Sequence, residues 1–306
     1  MAGPVRTLFF GSGSVALPAL SGLFESELVE LDSVVTAPPR PAGRKGLLRP
    51  TPVAGLAAAR ELPVRTPRTL RDEAVLAELR ATGAQLIVLA DYGRIIPAAV
   101  LDLPTHGALN IHPSLLPRHR GAAPVVGAIL AGDRATGVTI MRMDEGLDTG
   151  PIVAQAEVRL DGTEVAPELE ARLAALGVEL LLEHLPAWLA GTLAARRQPD
   201  AGASLTRLLR REDGRLDPAR PAVELERQVR AYQPWPGSFL EHDGVRLKVW
   251  SAAVLDQPVS VEPGRIVPTE GTLGLGTVEG VLRLDEVQPA GKRRMSGAEY
   301  RRGKRL

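Results

Sequence analysis

Asn110 and His112 stand two apart at the end of an apolar run that gives way to Pro113. On an extended strand such a pair projects from one face, and the C-terminal ends of strands are where open α/β sheets present ligands. An amide N–H beside an imidazole can hold a carbonyl oxygen as it becomes negative, and can move a proton. Taken alone, the spacing more readily suits a core Asn and a surface His at a strand end. Downstream, the Gly-rich run from Met143 to Gly150 carries Asp144, Glu145 and Asp148. A carboxylate there can fix the tautomer of an imidazole and stabilise its charged form. Spacing does not separate the three, and solvated loop acids are the commoner outcome.

Other chemistries fit less well. Gly11-Ser12-Gly13-Ser14-Val15-Ala16 matches G-x-G-x-x-A after a strand, a pattern suited to a dinucleotide pyrophosphate at a helix N-terminus. The acidic ribose partner is missing where the second strand ends in Thr36-Ala37-Pro38-Pro39-Arg40. Arg40 could serve a 2′-phosphate, and a tight strand-to-helix turn explains the glycines without a ligand. His106, His112 and His119 fit neither a helical face nor a zinc signature, so no metal is expected. No Ser occupies a G-x-S-x-G elbow. The absence of cysteine excludes disulfides, Cys-based zinc sites and thiol nucleophiles, and makes a cytoplasmic location the simplest expectation.

The elements that must position these groups follow from periodicity. Apolar runs predict strands over 5–10, 31–36, 86–90 and 108–112, with helical stretches such as 72–81 between them. That alternation implies a Rossmann-like, mostly parallel sheet covered by helices. A later pair of strands is expected over 137–143 and 152–159, then a long helix over 167–189. The small, polar stretch 194–203 reads as a linker. Beyond a helix over 222–232, short β-like segments over 238–241, 245–254, 265–268, 272–275 and 281–287 are separated by Gly turns, as in a small barrel. The 306 residues therefore divide into an α/β domain over 1–190, a linker over 191–207 and an OB-like barrel over 208–306. There is no internal repeat, no apolar run long enough to span a membrane and no signal-peptide pattern.

The formal net charge of +1 argues against a nucleic-acid partner only as an average. The segment 292–306 carries +6, which leaves the other 291 residues at −5.

Asn110-x-His112, Ser114-Leu115-Leu116-Pro117, Arg120-Gly121-Ala122-Ala123-Pro124, Thr136-Gly137-Val138-Thr139-Ile140-Met141 and Leu147-Asp148-Thr149-Gly150 together resemble the methionyl-tRNA formyltransferase family. The resemblance extends to Arg40-Pro41-Ala42-Gly43-Arg44, Tyr92-Gly93, Arg230-Ala231-Tyr232-Gln233-Pro234-Trp235-Pro236-Gly237 and Leu247-Lys248-Val249-Trp250. The Asn-x-His, Ser-Leu-Leu-Pro and Leu-Asp-x-Gly elements are shared with other folate-dependent formyltransferases. The Arg-Gly-Ala-Ala-Pro run and the barrel point to tRNA. Asp91 stands where the family has Ala, and His119 where it has Trp.

The resemblance implies that 10-formyltetrahydrofolate, a reduced folate, gives its formyl group to the free amino group of methionyl-initiator tRNA, without a metal. Asn110 and His112 would stabilise the oxyanion as the amine attacks, and Asp148 would orient His112 and assist proton relay. Ser114, Leu115, Leu116 and Pro117 would line the folate pocket. Arg40, Arg44 and Lys45 would meet the acceptor end of the tRNA, with Lys292, Arg293 and Arg294 adding a hold on its backbone. A monomer is expected on the same ground.

Overall fold

The computed structural model describes residues 3–42, 46–255, 261–269 and 271–304. It divides the chain into two units. One comprises Met1–Pro124, Thr136–Arg159 and Glu170–Thr206, and the other Val125–Ala135, Leu160–Leu169 and Arg207–Leu306.

The first unit is built on seven strands: β1 (Val5–Gly11), β2 (Val29–Val35), β3 (Val64–Arg65), β4 (Leu86–Ala90), β5 (Ala108–His112), β6 (Ala135–Arg142) and β7 (Ile152–Arg159). Their order across the sheet is β7-β6-β5-β4-β1-β2-β3. All five residues of β4 are buried, as expected of a central parallel strand with both faces covered. From β1 the chain winds through β2 and β3 on one side, then crosses to β4 and β5 on the other, all in parallel pairing. The order reverses between β1 and β4, one strand from β5, so Asn110 and His112 end a strand beside the crevice where such sheets bind ligands. β6 then pairs antiparallel to β5 and sets Asn110 opposite Met141 and His112 opposite Thr139. One buried cluster, including Leu8, Phe10, Leu79, Ile87 and Leu89, joins β1 and β4 to the helix Glu73–Ala81.

Of the segment expected to be a linker, 191–207, residues up to Thr206 belong to this unit. Arg196 exchanges backbone hydrogen bonds with Ile152, and Leu205–Thr206 pairs in parallel with Arg120–Gly121. Bridges of one or two residues leave no periodic trace in a polar stretch.

The second unit contains a six-stranded antiparallel sheet curled into a half-barrel. Its strands are β8 (Ser238–His242), β9 (Val245–Val254), β10 (Ile266–Thr269), β11 (Thr272–Gly276), β12 (Val281–Pro289) and β13 (Met295–Ser296), in the order β8-β9-β12-β11-β10 with β13 on β12. Register shifts between Val249 and Ala252 bend β9 against β12. Leu225 and Val229 of the helix Ala222–Ala231 pack with Leu247, Val249, Leu273, Leu282 and Leu284 in its core. Tyr300, from the closing helix Gly297–Lys304, completes that core.

Candidate active site

Asn110 and His112 share one face of β5, as alternation requires. His112 is 4% exposed. Its Nε2 lies 3.0 Å from the carbonyl oxygen of His119, which can only accept, so Nε2 carries the hydrogen. Burial holds this imidazole below its ordinary pKa, against the opposing pull of the Asp148 charge. The side chain is therefore neutral at pH 7, and Nδ1 has a bare lone pair. That lone pair faces Asp148 Oδ2 at 3.8 Å, too far for a direct hydrogen bond. A proton that reaches Nδ1 creates an imidazolium beside a carboxylate. Asn110 is half-buried, and among the described residues its side-chain amide makes no hydrogen bond.

The structure separates the three loop acids. Asp144 is committed to its own loop, accepting from the Gly146 N–H at 3.0 Å and the Thr149 hydroxyl at 2.8 Å. Glu145 is exposed. Asp148 faces the imidazole, from a left-handed backbone with φ of 52°. Its Oδ2 accepts from the Gly121 N–H at 2.7 Å. Gly121 itself has φ of 103°, and a Cβ there would run into the carbonyl of Thr206. This glycine thus lets two backbones approach and presents its N–H to Asp148.

Several supports were not legible as such in the sequence. Gln198 bridges Arg120 to the carbonyls of Asp148 and Gly150. Ser204 accepts from the His119 N–H through its hydroxyl, and from the Arg120 N–H through its carbonyl. The Thr206 hydroxyl donates to the Arg120 carbonyl and accepts from the Ala123 N–H. All three come from the stretch expected to be a linker, whose polar composition gave no signal beyond exposure.

The Ser114–Pro117 turn is fixed by one local hydrogen bond and by Thr139 of β6 and Gln155 of β7. The Ser114 hydroxyl donates to the Arg118 carbonyl at 2.7 Å, and the Ser114 carbonyl accepts from Thr139 Oγ1 at 2.6 Å. Leu116 is buried with Met141 and Ile152, while Leu115 and Pro117 are half-buried. The Leu116 carbonyl accepts from Gln155 Nε2, and the same amide donates to Thr139 Oγ1.

The Gly11–Gly13 turn is closed to a phosphate. The N–H groups of Ser12 and Gly13 both donate to the Asp91 carbonyl, and the Asp91 carboxylate lies against Gly13. The dinucleotide alternative therefore loses two of its donors and meets the Asp91 carboxylate. Among the described residues no His, Asp or Glu cluster could hold a metal ion, and no described helix is long and apolar enough to cross a membrane.

Of the expected tRNA-contacting residues, Arg44 and Lys45 lie outside the described residues. Arg40 is exposed and opens a hairpin, Arg40–Ala42 pairing with Leu47–Arg49. Lys292 is exposed. Arg293 is paired with Glu299 and Arg294 with Glu286, so the tail is less cationic than its residue count. A further set of cations sits on β9, where Arg246, Lys248 and Trp250 alternate with buried Leu247 and Val249. Lys248 Nζ lies 3.6 Å from the centroid of a Trp250 ring, and the Arg294 guanidinium 5.0 Å from one. Partial burial, and then the charge of Arg294, lower the Lys248 ammonium from its ordinary pKa. An Arg-x-Lys-x-Trp alternation between apolar residues was the available sequence signal for this face.

Comparison with known proteins gives the class and the fold family. The Formyl transferase family model matches residues 5–185, and the model of the Formyl transferase C-terminal domain matches 208–305, which defines the class. The methionyl-tRNA formyltransferases of Chloroflexus aggregans and Thermus thermophilus are each 46% identical to this chain over 98% of its length, covering 97% and 96% of theirs. The chain belongs to the methionyl-tRNA formyltransferase family. The fold also matches an N-formyltransferase from Helicobacter canadensis, crystallised with folinic acid and dTDP-3-aminofucose. Its TM-score is 0.68 at 15% identity, over 93% of this chain and 99% of that one.

Proposed function

We propose that Asn110, His112 and Asp148 carry formyl transfer from 10-formyltetrahydrofolate to the amino group of methionyl-initiator tRNA, giving the formylated tRNA used in translation initiation. The observation that carries this reading is the free amide of Asn110 on the same strand face as a neutral imidazole whose bare Nδ1 looks toward a carboxylate. The reduced folate supplies the formyl group. Asn110 donates an N–H to the oxygen that gains charge, an interaction whose loss commonly costs about 100- to 1,000-fold in rate. His112 Nδ1 takes up the proton released by the attacking amine, directly or through a water. Asp148 stabilises the imidazolium that results. The folate nitrogen gains a proton by the same route as the tetrahedral centre collapses, its bond to the formyl carbon breaks and tetrahydrofolate leaves. Ser114–Pro117 borders the folate, with Leu115 and Pro117 as the contacting side chains and Ser114 and Leu116 holding the turn in shape.

We assign catalysis to 1–190 together with the segment up to Thr206, which supplies Gln198, Ser204 and Thr206 to the site, and tRNA binding to 208–306. Arg40, Arg44 and Lys45 meet the acceptor end, while Lys292, Arg293 and Arg294 grip the backbone. Two cations converging on Trp250 support this assignment: a phosphate can take the place of the Glu286 carboxylate on Arg294 and meet the Lys248 ammonium beside it. The protein acts as a cytoplasmic monomer. The test supplies 10-formyltetrahydrofolate with charged initiator tRNA, uncharged tRNA or free amines, including a nucleotide-linked amino sugar. Formylation confined to the charged tRNA is expected. Equal use of the amino sugar would overturn the acceptor assignment.

A further inference from the structure

Gln198 is 4% exposed, and all of its hydrogen-bonding capacity is used. Its Oε1 accepts two N–H groups of Arg120, from Nε at 3.0 Å and from the guanidinium terminus at 2.7 Å. Its Nε2 donates to the Asp148 carbonyl at 2.8 Å and the Gly150 carbonyl at 2.7 Å. A primary amide has two donors and two lone pairs on its oxygen, so these four bonds saturate it. Carboxylate and aliphatic side chains of the same size cannot do this: a Glu would set acceptor against acceptor at the two carbonyls, and a Met would orphan them.

Both ends of the bridge reach Asp148. The Gly121 N–H that holds the Asp148 carboxylate follows Arg120 directly in the chain, and the Asp148 carbonyl is bonded to Gln198 itself. The carboxylate stands 3.8 Å from His112 Nδ1, so a displacement well under an ångström changes how strongly it acts on the imidazole. We propose that Gln198 is a positioning residue for formyl transfer, a neutral strut that sets the distance between Asp148 and His112. The proposal rests on the reading of Asn110, His112 and Asp148 given above.

The full-length enzyme tests it, with 10-formyltetrahydrofolate and charged initiator tRNA varied independently for Gln198→Met and the isosteric Gln198→Glu. The expected result is a kcat about 10- to 100-fold lower, with KM for both substrates within about 2-fold of wild type. The ionisable groups acting on His112 are Asp148, whose charge raises its pKa, and His119, which lowers it. Loosening Asp148 therefore moves the acid limb of the kcat profile to lower pH, which a loss of fold stability alone would not do. Gln198→Met added to Asp148→Asn is expected to cost little beyond Asp148→Asn alone, since both act through one carboxylate. Wild-type kcat and acid limb in either Gln198 variant, or fully multiplicative losses in the double variant, would overturn the strut. Wild-type turnover in Asp148→Asn by itself would instead overturn the reading of the site on which the strut depends.

Discussion

Around His112, nearly every polar group is held by short hydrogen bonds from buried or half-buried partners: His119 on Nε2, Gly121 on Asp148, Gln198 on the loop behind it. On the outer face of β9, Arg246 and Lys248 stack on aromatic rings, and the neighbouring Arg294 is held by the half-buried Glu286 carboxylate. The first arrangement leaves its side chains one geometry and keeps an amide and a lone pair free for a reacting group. The second leaves charges that can exchange an internal partner for a phosphate. Pre-organisation suits the centre where charge develops, and exchangeable surface pairs, each worth little, suit a long anionic ligand.

Substitutions should divide along the same line. Asn110→Ala should fold normally and lose about 100- to 1,000-fold in kcat, measured at saturating tRNA. Gly121→Ala should be nearly as damaging, about 10- to 100-fold, because the new Cβ forces apart the strands that aim the Gly121 N–H. Trp250→Ala combined with Lys248→Ala should leave kcat intact and raise KM for the tRNA about 10-fold, within the range for losing one stacked contact and its charge. This effect should shrink as salt is raised, since screening weakens what the cations contribute. The smallest change belongs to Arg293→Ala, whose cation already has Glu299, at about 2-fold in tRNA KM. A kcat effect from the β9 variants, or a pure tRNA effect from Asn110→Ala, would break the division.

The pH profile sharpens it. His112 must be neutral to accept a proton, and burial sets its pKa below 6.5, so kcat should hold its plateau as pH falls through 6.5 and decline only below that. A decline centred above 6.5 would mean that the buried imidazole is not the base.

The sequence made the large elements legible because their periodicity is imposed by burial. β4 is buried on both faces and reads as an unbroken apolar run, while the spacing of Asn110 and His112 already put both on one face of β5. Choosing among Asp144, Glu145 and Asp148 needed three dimensions, since the choice turns on which loop N–H, Gly146 or Gly121, each carboxylate meets. Gln198, Ser204 and Thr206 were hidden for a related reason: isolated side-chain bonds to distant backbone obey no repeat. The tail was misleading in another way, because charge counts ignore the carboxylates of Glu286 and Glu299 that fold back onto it.

The central claim is that an amide, a neutral imidazole and a carboxylate in the first unit perform the transfer while the barrel holds the tRNA. It is tested most directly by the single-turnover rate of Asp148→Asn with saturating charged initiator tRNA and 10-formyltetrahydrofolate. A fall of at least about 100-fold with unchanged tRNA affinity is predicted; a rate near wild type would contradict the account.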